Sequence, residues 1–188
     1  MRWLVAAALF LASISCTPAA KAQDDASKLE LYGGYSYIRF NIHSLDNGQP
    51  AFNIYNGNGG TGQVTYNLTN WLGLVGDAGG FWATHGSAYG AAIPYLAGPR
   101  LNLRRRWFTP FAQVLLGGVV TSSGIETSGW QSHFAMTAGG GVDLKLSKHF
   151  AIRPLQAEYF LTKIPDGLNN RQNNFQFSTG ISLLFDRK

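Results

Sequence analysis

Residues 174–185, NFQFSTGISLLF, alternate almost without interruption. Phe175, Phe177, Thr179, Ile181, Leu183 and Phe185 fall on one side; Gln176, Ser178, Gly180 and Ser182 fall on the other. Successive side chains of a strand point to opposite faces of the pleat, so this period of two predicts a β-strand with one apolar face. Working outward, the same pattern recurs in seven earlier segments. Leu29–Phe40 sets Leu29, Leu31, Tyr35 and Tyr37 against Glu30, Gly34 and Ser36. Gly62–Leu68 opposes Val64, Tyr66 and Leu68 to Gln63, Thr65 and Asn67. Phe134–Leu146 opposes Phe134, Met136, Ala138, Val142, Leu144 and Leu146 to Thr137, Gly139, Gly141, Asp143 and Lys145. Leu72–Thr84, Ala91–Leu103, Thr109–Val120 and Phe150–Leu161 alternate less cleanly. Most of these have the roughly 9–11 residues that a tilted strand needs to cross a bilayer.

The connections alternate too. Thr69-Asn70-Trp71, Arg104–Phe108 and Ser147-Lys148-His149 are tight, whereas Asn41–Gly60, His85–Gly90, Thr121–His133 and Thr162–Asn173 are mostly longer. With an even strand number, the tight turns and both chain ends share one side. Membrane barrels have short periplasmic turns and longer external loops. Lipid offers no hydrogen-bond partner to an open sheet edge, so such strands must close on themselves. The sequence therefore predicts an all-β fold, an eight-stranded antiparallel up-and-down transmembrane β-barrel over residues 28–185. Residues 23–27 form a short lead-in and 186–188 a tail. Pro94, Pro99, Pro110 and Pro154 fall inside or at the start of strands, where proline marks a start or a bulge. At Pro154 the alternation breaks: Arg153 shares parity with Leu155 and Tyr159, and Gln156 with Glu158. Either a bulge there or Arg153 reaching the periplasmic rim would reconcile the faces.

Composition agrees with a lipid-facing wall and a polar interior. Charged residues are only 13% of the 188, about half the usual share. Aromatics also reach 13%, yet mean hydropathy is −0.05. Arg2, the apolar run Trp3 to Ile14 and the Ala20-Lys21-Ala22 site make residues 1–22 a cleavable signal peptide. That run is too short to span a bilayer as a helix. A lipoprotein signal at Cys16 is the alternative, although Ser13-Ile14-Ser15 lacks the usual leucine. Loss of Arg2 and Lys21 lowers the formal charge from +5 by two, to +3. Arg104-Arg105-Arg106 carries that excess and would face periplasmic headgroups. An exported chain meets no nucleic acid, and with Cys16 removed it has no thiol chemistry.

Three stretches carry a family likeness: Leu31-Tyr32-Gly33-Gly34-Tyr35-Ser36-Tyr37; Gly139-Gly140-Gly141-Val142-Asp143-Leu144 through His149-Phe150-Ala151-Ile152-Arg153-Pro154; and the final strand. Together they resemble the outer-membrane β-barrel family that includes the transmembrane domain of outer membrane protein A. The resemblance implies an outer-membrane location. It also implies that Thr179, Gly180, Leu183 and Phe185 form the assembly signal read by the barrel-insertion machinery, although Asp186-Arg187-Lys188 extends past the usual terminal aromatic.

An eight-stranded barrel is just wide enough for its own side chains. Glu30, Asp77, Arg100, Asp143, Lys145 and Glu158, with Gln113 and Gln156, belong on inward faces, because a basic charge in mid-bilayer costs about 2–4 kcal/mol. There they would form a structural ion network or line a narrow gated path for small ions. Trp71, Trp107, Phe108 and Phe150 near the tight turns, and Phe40, Trp82, Tyr89, Trp130 and Phe134 at the opposite ends, read as two interfacial girdles. His43, His85 and His133 fall in proposed external loops and His149 in a periplasmic turn, without the close spacing of a zinc site. His85-Gly86-Ser87 resembles the His-x-Ser pair of outer-membrane lipid A deacylases, but the next carboxylate in sequence is Glu126. Paired glycines lie within strands, where they mark close backbone approach rather than a phosphate cradle. The Asn- and Gly-rich first loop and the fourth, around Asn169–Asn174, suit recognition at the surface. The expected protein is non-enzymatic, monomeric and without cofactors. It is structural or a narrow pore; the alternatives are a surface adhesion barrel and a soluble lipocalin-like carrier.

Overall fold

The computed structural model describes residues 27–46, 49–85, 88–123, 131–164 and 170–185. The signal peptide, the loop residues Ser87, Glu126 and Trp130, and the tail lie outside them. The eight strands are β1 Leu29–Asp46, β2 Gln49–Asn67, β3 Leu72–His85, β4 Ala88–Asn102, β5 Phe108–Ser123, β6 Gln131–Lys145, β7 Phe150–Thr162 and β8 Gln172–Phe185. Each pairs antiparallel with its sequence neighbour, and β1 closes the barrel on β8 from Leu29↔Phe185 to Arg39↔Phe175. The ends Leu29 and Phe185 share one rim with the turns at 68–71, 103–107 and 146–149. This is the periplasmic rim in a barrel of this type.

The wall is apolar outside and polar inside. Val64, Tyr66, Val114, Leu116, Phe177 and Ile181 are exposed on the outer surface, whereas Asp143 and Glu158 are buried in the lumen. A soluble carrier needs the reverse arrangement. Four tyrosines of the wall hydrogen-bond polar side chains: Tyr35 to Asn58, Tyr37 to Asn56, Tyr95 to Ser132 and Tyr159 to Asn173. This saturates the phenols near the outer interface, where tyrosine's mixed character suits it.

Four expectations change. The segment 41–60 is not a loop. β1 and β2 run on for 18 and 19 residues, paired out to Asp46↔Gln49. Ladder pairing to β8 ends at Arg39 and to β3 begins at Gly57, and Asn41 makes the last bonds to β8, so residues 42–53 continue as a two-stranded ribbon past the barrel wall. Asparagine and glycine content misled, because backbone pairing tolerates both. The overlooked signal is Asn47-Gly48, the dipeptide favoured at two-residue hairpin turns. Gly86-Ser87 likewise separates β3 from β4, so His85 ends a strand; His133 lies within β6. Phe40 belongs to no girdle. It shares parity with Glu30 and Ser36 and is buried inside, since register and not aromatic character decides which way a strand residue points.

Candidate functional site

The lumen has two levels. In the periplasmic half, acidic, basic and amide side chains form one connected system. Arg153 binds Asp143 through two bonds, Nε to Oδ1 at 2.7 Å and Nη2 to Oδ2 at 3.1 Å. Arg100 Nη2 donates to the same carboxylate at 2.5 Å. Arg153 Nη1 donates to Gln63 at 2.7 Å and to Gln156 at 2.6 Å. Gln156 passes the chain on to Glu158 at 2.7 Å, and Gln113 donates to the other Glu158 oxygen at 2.9 Å. In the other direction Arg100 reaches Asn102, Asn102 reaches Asn67, and Asn67 reaches Glu30. Arg104 closes the mouth on Glu30 at 2.9 Å. Arg100 and Arg153 thus share the Asp143 carboxylate and Arg104 pairs with Glu30, while Glu158 is held by Gln113 and Gln156. Pairing of this kind is what makes buried charge tolerable.

Aromatic rings complete the packing. The Arg153 guanidinium lies 4.0 Å from the Tyr32 ring centroid and 4.4 Å from that of Phe111, and Arg100 lies 3.6 Å from Phe111. Desolvated contacts of this kind are worth about 2 kcal/mol each. Toward the external end the lumen becomes apolar. Ile38, Phe40, Phe81, Leu96, Val119 and Phe160 belong to one buried cluster. β8 carries most of the polar side chains at this level, and they are bonded: Ser178 to Ser36, Gln176 to Ser178, Asn174 to the Asn41 backbone and Gln172 to Thr162.

A family comparison matches this architecture. Residues 6–182 match the family described as outer membrane protein beta-barrel domain. The chain belongs to that family. Its members are outer-membrane barrels, and that is where this chain is placed. Three solved structures share the fold. Neisserial surface protein A superposes with a TM-score of 0.64 at 15% identity, covering 86% of this chain and 100% of its own. Ail, the attachment invasion locus protein of Yersinia pestis, gives 0.54 at 17%, covering 85% and 99%. The N-terminal β-barrel domain of Pseudomonas aeruginosa OprF gives 0.51 at 12%, covering 86% and 100%. Comparison with curated protein sequences gives no match.

Of the residues expected inside this family barrel, Glu30, Arg100, Gln113, Asp143, Gln156 and Glu158 join the network. Asp77 is buried beside it and accepts a bond from Thr61 at 3.1 Å. Lys145 is half-buried at the periplasmic end of β6. Of the two outcomes expected at Pro154 the bulge is the one present, and Arg104 departs from its expected place. Arg153 neither snorkels nor faces lipid: a register shift between Arg153 and Gln156 turns both inward, and Arg153 is 1% exposed at the centre of the network. The broken parity at Pro154 was its signal. Arg104 leaves the basic turn and points into the mouth, because Glu30 offers it a buried partner. Among the described residues, no three His, Cys, Asp or Glu side chains converge as a metal site would require. The side chains of His43 and His85 lie outside the description, as does Ser87.

On β8, Thr179, Leu183 and Phe185 face outward with Phe175, Phe177 and Ile181. Gly180 meets β1 so closely that a Cβ would lie 2.3 Å from the Gly33 carbonyl oxygen.

Proposed function

We propose that this protein is a non-enzymatic outer-membrane barrel whose lumen is a structural plug rather than a conduit. One observation carries the reading: Arg100 and Arg153 meet on Asp143 in the periplasmic half of the lumen, beneath a level of packed apolar side chains. Eight strands leave little room beyond what these side chains fill. The last strand, with Thr179, Gly180, Leu183 and Phe185, serves as the signal for the insertion machinery, and its outward apolar row supports that role. The refolded chain in a planar lipid bilayer should give no single-channel steps. Discrete steps that scale with salt would replace this reading with that of a narrow ion pore.

A second reading, recognition at the cell surface, is favoured by the β1–β2 ribbon. Residues 42–53 pair only with each other and have no ladder partner in β3 or β8, past the membrane-spanning wall. Replacing residues 42–53 by a short turn should leave the barrel folded and remove binding to host cells or matrix. Unchanged binding would remove the reading.

A further inference from the structure

The described acidic side chains Glu30, Asp77, Asp143 and Glu158 are all buried in the lumen. The periplasmic rim is the opposite. Arg105, Arg106 and Lys148 are exposed there, Lys28 is half-buried, and His149 stands beside Lys148. Among the described residues, the acid nearest this rim, Glu30, is already committed to Arg104. Backbone bonds between the turns and strand ends that carry these residues join them into one arc. Lys145 N donates to Trp107 O at 3.0 Å, Leu184 N to His149 O at 2.9 Å, Lys28 N to Phe185 O at 3.0 Å and Asn67 N to Lys28 O at 2.9 Å. The arc therefore runs from the β4–β5 turn past the β6–β7 turn to the start of β1.

Its charges lie at the edge of the lipid-facing wall. The Arg106 guanidinium is 5.4 Å from the ring of exposed Trp107, and Lys28 Nζ is 5.4 Å from the ring of Tyr66 on the outer surface. Trp71, Phe108 and Phe150 continue this aromatic belt. Such belts sit at headgroup depth. A soluble periplasmic polymer would be met best by cations at the mouth, but the mouth's Arg104 is neutralised by Glu30.

We infer that this rim binds the phosphates of anionic phospholipids in the inner leaflet, with Arg105, Arg106 and Lys148 as principal contacts. A cation near an anionic lipid surface is worth about fivefold in partitioning. The test compares spin-labelled phosphatidylglycerol with spin-labelled phosphatidylcholine at the surface of the full barrel, reconstituted in phosphatidylcholine vesicles. The wild-type barrel should prefer the phosphatidylglycerol probe about fivefold or more at low salt. The preference should shrink at about 0.5 M salt, where screening acts within a few ångströms. R105Q/R106Q/K148Q should lose most of it while keeping its heat-modifiable gel migration. Equal partitioning of the two probes by the wild type overturns the inference, as does a preference that salt and the triple variant leave intact. Binding of a soluble anionic muropeptide in detergent, without any lipid preference, overturns it in favour of a wall polymer. If the variant fails to fold, the salt dependence of the wild type decides.

Discussion

Asp143→Ala isolates the centre of the network. Asp143 accepts three charge-assisted bonds, at 2.5, 2.7 and 3.1 Å, from two arginines that are each 1% exposed. A hydrogen bond to a charged group contributes about 1.5–3 kcal/mol, but these three share one acceptor and do not add. The larger effect is on what remains, two buried guanidiniums without their counterion. Breaking a buried pair from one side costs about 3–5 kcal/mol. D143A should therefore lower the unfolding free energy by about 4 kcal/mol. Urea titration of the refolded barrel, read by the gel shift between folded and unfolded forms, measures it. The triple replacement R100M/D143L/R153M removes both signs of charge together and should recover most of the loss, since apolar groups of similar volume substitute for buried ion pairs at little cost. A loss below about 1 kcal/mol for D143A would refute the reasoning, because that is what a solvated pair yields. The lumen would then be wet, and the plug reading would fall with it.

Three further outcomes follow from the same geometry. Gly180→Val should prevent β1 from closing on β8, because its Cβ would lie 2.3 Å from Gly33 O and 2.5 Å from Gly34 Cα; Gly33→Ala, with nothing within 4 Å, should fold normally on the same gel. Val114→Arg puts a charge on the lipid side in mid-strand and should cost about 2–4 kcal/mol in the urea titration. D143A, where it folds, should remain silent in bilayer recordings despite its lost stability.

Much of the barrel can be read from parity alone, because lipid and lumen impose opposite preferences on alternate residues. Asn174–Phe185 announces its strand, and six of the eight chosen inward residues join the network because a polar group on a lipid face is too costly to be there. Parity fails where the chain leaves strict pleating. The bulge at Pro154 reverses the faces beyond it, so Arg153 could be suspected but not placed. Arg104 sits in a turn, where no parity applies; its direction depends on Glu30, far away in sequence. Phe40 shows the converse error, an aromatic assigned by type against its own register. The ribbon was hidden by composition, although Asn47-Gly48 between two alternating runs marks a hairpin.

The two levels of the lumen oppose ions for different reasons, and they act in series. At the periplasmic level an ion would have to displace one of the partners of Asp143, Glu30 or Glu158, each already fixed by at least two donors. At the external level it would have to shed water among Ile38, Phe40, Phe81, Val119 and Phe160, which offer no replacement ligands. Stripping water from an ion without compensation costs several kcal/mol even after relaxation. The polar row on β8 does little to relieve this level, because Ser178, Asn174 and Gln172 are engaged with Ser36, the Asn41 backbone and Thr162, and Gln176 donates to Ser178. Deleting Asp143 weakens only the first barrier, which is why lost stability and continued silence are expected together. Conductance from D143A alone would mean that the apolar level does not seal the lumen. The ion network would then be a gate.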